Sequence, residues 1–138
     1  MTYLGVDLGS KTLGLSISTS GIIASNLETY RFIENKYDQA VDYLVNKVKE
    51  LSINEIVLGL PKHMNNDLGI RGQISVDFKN ALESKVSVQV ILWDERLSTR
   101  TARIVLSSQN KKKEKQKMYK DEIAAVVILQ NYLDYKNK

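Results

Sequence analysis

Three carboxylates far apart in the chain, Asp7, Glu95 and Asp121, are of the type and number that hold hard divalent cations. Magnesium takes oxygen ligands and keeps several waters, so two or three carboxylates suffice. Without a cation, three such acids in one place would repel one another. A pair of ions about 3.5–4 Å apart can activate water and stabilise the leaving oxygen of a phosphodiester. This chemistry needs neither cysteine nor histidine, and the chain has no cysteine and a single histidine, His63. Taken singly the acids say less. Asp7 could equally be a turn residue capping backbone amides, and Asp121 a helix-start acid placed for the dipole. Only the trio is informative.

Those acids must be positioned by regular elements, and the periodicities supply them. In YLGVDLGSKTLGLSIS, Leu4, Val6 and Leu8 alternate with Gly5, Asp7 and Gly9, and Leu13, Leu15 and Ile17 alternate on the return. Period two on both sides of a polar Gly9–Thr12 connection predicts a β-hairpin. Glycines flank Asp7 and leave room beside its carboxylate. A third strand is expected over Ile22–Phe32 and a helix over Tyr37–Leu51, where Val41, Leu44, Val45, Val48 and Leu51 recur at helical spacing. The apolar run Glu55–Leu60 reads as a strand buried on both faces, ending at Pro61, the only proline. A polar loop over Lys62–Gly72, a helix over Gly72–Ser84 and a strand from Val86 to Leu92 follow, with Trp93-Asp94-Glu95 at the strand's exit. Ser98 or Thr99 can cap a short helix to about Ser107. The last helix is expected over Tyr119–Tyr135.

The order β-β-β-α-β-α-β-α-α predicts an α/β fold: a five-stranded mixed sheet with helices on both faces, in a single domain over residues 1–138. The first strand should neighbour the fourth, and the fifth lie beside the fourth. Ala124 and Ala125 are small enough to let the final helix approach the sheet, with Ile128, Leu129 and Tyr132 inward and Asp121 laid across the same edge. Ligands in such sheets sit at the carboxyl ends of parallel strands, which is where Asp94 and Glu95 fall. Neighbours on an extended segment point to opposite sides, so only one of that pair can face a shared ion.

Charge adds a partner class. The net charge is +4, yet KKKEKQKMYK at Lys111–Lys120 alone contributes +5, leaving the rest at −1. A basic segment on a near-neutral body suits a polyanion, although lysine runs also serve only as solvated surface. No apolar run approaches the ~20 residues of a membrane span, and the start lacks a signal peptide's pattern. A cytoplasmic protein with no membrane partner is expected.

Four blocks, GVDLGSKTLGLSIS, IVLGLPKHM, WDERLSTRTAR and KDEIAAVVILQNYL, together resemble the YqgF (RuvX) family, in its order and at its total length. That resemblance implies a ribonuclease H-like fold and a metal-dependent nuclease, described as a Holliday junction resolvase or a ribosomal RNA precursor nuclease. It implies Asp7, Glu95 and Asp121 as catalytic, metal-binding acids with Mg2+ or Mn2+, and it selects Glu95 over Asp94. The substrate implied is the precursor of small-subunit (16S) ribosomal RNA, with four-way DNA as the alternative. Backbone phosphates would be met by Lys11, Lys62, Arg96 and the run Lys111, Lys112, Lys113, Lys115 and Lys117. Arg96 could instead pair with Asp94. A monomer or weak homodimer is expected. The chain departs from the family at Met64-Asn65-Asn66, where an Asp-Gly turn is usual, which removes an acid at Asn65. Two other classes remain open. The first hairpin also resembles the phosphate hairpin of actin-like ATPases, which need two such domains. A non-catalytic nucleic-acid binder would use the lysines alone.

Overall fold

The structure, a computed structural model, describes residues 1–60, 69–94 and 113–137, and the side chains of all of these except 113–122. Five strands, β1 (Tyr3–Leu8), β2 (Thr12–Ser18), β3 (Ser25–Arg31), β4 (Glu55–Leu60) and β5 (Gln89–Asp94), form one sheet in the order β3-β2-β1-β4-β5. β1 pairs antiparallel with β2 and parallel with β4, and β4 pairs parallel with β5. The expected neighbours are therefore the observed ones. The helices are α1 (Tyr37–Leu51), α2 (Gly69–Glu83) and α3 (Lys113–Lys136). The expected helix over Ser98–Ser107 and the loop around His63 and Asn65 lie outside the described residues.

Alternation in β1 divides the molecule into two layers of core. Leu4, Val6 and Leu8 point to one face, where they join Leu13, Leu15, Ala40, Val41, Leu44, Phe78 and Leu82 under α1 and α2. Tyr3, Gly5 and Asp7 point to the other face, which α3 covers with Ile128, Leu129 and Leu133. β4 is buried along its whole length, as a central parallel strand should be.

Several boundaries differ from expectation. Ile22 and Ile23 are not in β3: their amides bond Ser20 Oγ in a turn and both side chains are exposed. Val86 is not in β5, because its amide and that of Lys85 still bond the Leu82 carbonyl at the end of α2. α2 starts earlier than expected, at Gly69, whose φ of 65° is cheap only for glycine. Its buried face carries Gly72, Ser75, Phe78 and Leu82, while Ala81 is exposed. α3 also starts early, at Lys113, so much of the lysine run is helix rather than loop. Lys, Glu, Gln and Met are all good helix formers, so the stretch favours helix despite its dense positive charge.

Candidate active site

Asp7 sits half-buried one residue from the carboxyl end of β1, on the α3 face. Its cross-strand partner on β2 is Gly14, and Gly5 precedes it on the same face. The carboxylate therefore stands in a row with no large neighbour on its own strand or on β2. The next residues make the β1–β2 turn, closed by the Gly9 amide on the Thr12 carbonyl at 2.8 Å. Lys11 lies exposed on this turn, within four residues of Asp7.

The glycines matter for what they let α3 do. A Cβ at Gly5 would lie 2.2 Å from Ser16 Oγ, 2.7 Å from Leu129 Cβ and 2.8 Å from the Ala125 carbonyl. At Gly59 it would lie 2.7 Å from Ile128 Cδ1. The helix thus rests directly on backbone. Buried Ser16 donates to the Ala125 carbonyl at 2.6 Å, and Gln130 donates to the Ile22 carbonyl and accepts from the Ala24 amide, both at 2.8 Å. Farther along, Lys136 Nζ donates to Tyr3 Oη at 3.0 Å, and Tyr132 donates to the buried Glu55 carboxylate; burial first, and then this bond, hold the tyrosine's pKa above its ordinary value.

These contacts fix the helix direction. Lys136 lies at Tyr3 and Ala125 at Gly5, so α3 runs antiparallel to β1. Asp121 is one turn before Ala125, about 6 Å along the axis at 1.5 Å per residue. Asp7 is two residues beyond Gly5, about 6.6 Å along the strand. Both advances lead toward the carboxyl edge of the sheet. The side chain of Asp121, and those of Lys113, Lys115 and Lys117 in the same helix, are outside the described ones.

At the end of β5, Trp93 packs edge-on against Tyr132, with centroids 5.6 Å apart and planes at 83°, so it belongs to the α3 face as a packing residue. Asp94, paired with Leu60, has the opposite parity. Glu95, Arg96, Lys62, Lys111 and Lys112 lie outside the described residues. Among the described residues no cluster of three metal-ligating side chains occurs, and no helix is long and apolar enough to cross a membrane.

Sequence reasoning missed Arg71. Its guanidinium donates to the Leu8 carbonyl at 2.9 Å and to Tyr37 Oη at 3.4 Å, tying α2 and α1 to the strand end next to Asp7. Only its place near the start of α2, on the face turned to β1, could have signalled this.

Comparison with known proteins gives consistent results. Residues 1–135 match the family model described as RuvX: Holliday junction resolvase. A protein of Onion yellows phytoplasma (strain OY-M) named "Putative pre-16S rRNA nuclease" is 57% identical over 133 residues, covering 96% of this chain and 88% of that one. A Bacillus subtilis (strain 168) protein of the same name is 43% identical over 138 residues, covering 99% and 100%. Among solved structures, T. thermophilus RuvC in complex with a Holliday junction substrate superposes with a TM-score of 0.68 at 12% identity, covering 99% of this chain and 95% of that one. That likeness is one of fold.

Proposed function

This chain belongs to the RuvX (YqgF) family, and from that premise we propose that it is a nuclease hydrolysing phosphodiester bonds of the small-subunit ribosomal RNA precursor. Its catalytic acids are Asp7, Glu95 and Asp121. The observation that carries the reading is the placement of Asp7: a half-buried carboxylate at the carboxyl edge of β1, beside Gly14 and on the face that α3 crosses.

The donor chemistry fits a hard divalent cation. Asp7 offers oxygen ligands, glycines on its own strand and on β2 keep the approach open, and the chain has no thiolate to favour a softer metal. Two further oxygen donors come from Asp121, on α3 as it advances toward the level of Asp7, and from Glu95, the residue that follows the end of β5 in the chain. Magnesium or manganese bound by these acids supplies Lewis acidity at the scissile phosphate and lowers the pKa of water there. The protein's own residues do the rest. Close seating of α3 on Gly5 and Gly59 fixes the spacing of the acids. Lys11 and the lysines of the stretch 111–117 attract the polyanion, and Arg96 clamps a phosphate with its planar fork.

A second reading, cleavage of four-way DNA, follows from the description of the family model. Relatives at 43–57% identity carry the ribosomal RNA name, so RNA is the first substrate to test. Labelled 16S precursor RNA and labelled four-way DNA are each incubated with the protein in magnesium, manganese or chelator. Cleavage of the RNA that needs a divalent ion and is lost in Asp7→Asn supports the proposal. Cleavage of the DNA junction alone moves the substrate to the second reading. Cutting by Asp7→Asn at the wild-type rate removes the site.

A further inference from the structure

The β1–β2 turn next to Asp7 is enclosed by a ring of hydrogen bonds from outside the hairpin. Arg71 donates to the carbonyl of Leu8 at 2.9 Å and to Tyr37 Oη at 3.4 Å; Tyr37 donates to Asn35 Oδ1 at 3.4 Å; the Asn35 amide donates to the Ser10 carbonyl at 2.7 Å. The Phe32 amide closes on the Lys11 carbonyl at 3.0 Å. Asn35 takes φ of 66° to make this loop, a left-handed conformation that asparagine tolerates better than most residues.

The ring collects cations. Arg31 pairs with Thr12 at the mouth of the hairpin, Lys36 follows Asn35, Lys11 is in the turn itself and Arg71 bridges from α2. All four are exposed. Among the described residues no carboxylate lies within ion-pair distance of any of them, whereas Lys79, Lys85 and Lys136 each have one and Lys47 has two. Glu34 and Asp38 share this edge, so its side chains carry a net charge of +2. Asp38 stands in the first turn of α1, where the helix dipole favours an acid.

We propose that Lys11, Arg31, Lys36 and Arg71 form a phosphate-binding edge that holds the nucleic-acid backbone on the β3 side of the active site, opposite the lysines of α3. The inference rests on the nuclease reading for its substrate class and adds the residues of a second arm of contact. Arg71 is the pre-oriented member: two of its five N–H groups are engaged by Leu8 and Tyr37 among the described residues, which holds the fork at the strand end.

The test is the salt dependence of binding, measured in chelator so that cleavage plays no part. A labelled four-way DNA junction and a 16S precursor RNA fragment serve as probes, and circular dichroism melts check folding. Each lost contact should lower the slope of log K against log salt by about 0.9 on duplex and about 0.7 on single strand. The R31Q/K36Q double variant changes two exposed side chains, so it remains informative if R71Q fails to fold. R71K, which retains the charge, should keep most of the wild-type slope. K85Q, at the far end of α2, should leave it unchanged. A slope and affinity in R31Q/K36Q equal to wild type overturn the proposal. Wild type that binds with the expected slopes but cuts neither probe in magnesium would sink the nuclease reading and leave this edge standing.

Discussion

Ser16 on β2 and Ala125 on α3, 109 residues apart, are joined by a 2.6 Å hydrogen bond from a buried hydroxyl to a helix carbonyl. The contact sits above Gly5, two residues from Asp7, and so ties the helix bearing Asp121 to the hairpin bearing Asp7. Ser16→Ala removes the donor while the carbonyl keeps its helical partner. The expected cost is about 1 kcal/mol, or roughly 3–5 °C in Tm for a chain of this size. Thermal melts read that directly. A drop in cleavage rate well beyond the change in folded fraction would show that the tie serves the spacing of the acids.

Gly5 and Gly59 both lie under α3 but should differ in tolerance. A methyl at Gly5 would meet the Ala125 carbonyl at 2.8 Å and the Leu129 Cβ at 2.7 Å, atoms that move only with the helix. At Gly59 the obstacle is Ile128 Cδ1 at 2.7 Å, the free end of a side chain. Overpacking typically costs about 1–3 kcal/mol, so Gly5→Ala should fall at or above the top of that range and Gly59→Ala near its bottom. Urea denaturation of the two variants gives the ranking, and equal costs would contradict it.

The elements legible in the sequence were those with a strong period: the hairpin, α1, β4 and the inward face of α3. Neighbour relations in the sheet followed from connection rules. What misled was apolarity without pairing. Ile22, Ile23, Val86 and Val88 look like strand, yet the first two are exposed in a turn and Val86 lies between α2 and β5, its amide on the Leu82 carbonyl. Asp7 was legible as a candidate, because it falls between glycines in a clear alternation. Ser16, Gln130 and Arg71 were not, since each acts through a partner more than 60 residues away and no local pattern encodes it.

Glu83 gives a pH-dependent term. Its carboxylate accepts from Lys79 Nζ at 2.8 Å and from the Val90 amide at 3.1 Å, and these bonds, Lys79 first, lower its pKa below 4.5. A group with a depressed folded-state pKa adds stability that is present above its unfolded value and fades as pH falls through the folded one. Glu83→Gln should therefore be less stable than wild type at pH 7, and the gap should close as pH is taken below 4.5. The Val90 bond also ties α2 to the start of β5, so hydrogen exchange at Val90 should quicken in the variant. A gap that stays constant from neutral to acid pH would assign the effect to packing rather than charge.

The adjacent acids Asp94 and Glu95 offer the sharpest test of the site. Asp94 pairs with Leu60 at the end of β5, and Trp93, one residue before, packs on Tyr132 against α3. Parity turns Asp94 away from the face of Asp7 and gives that face to Glu95 if the strand direction persists for one more residue. Loss of an outer-shell partner alone costs a metal site about 10–100-fold, so loss of a direct ligand should exceed ~100-fold. Glu95→Gln should therefore abolish cleavage at saturating magnesium and weaken manganese binding in calorimetry, while Asp94→Asn should retain cleavage to within a few-fold. The reverse pattern would place Asp94 among the ligands and require β5 to twist or bulge at its last residue. Without that twist the carboxylate of Asp94 lies on the face opposite the one Trp93 shares with α3, where Asp7 could not reach the same ion.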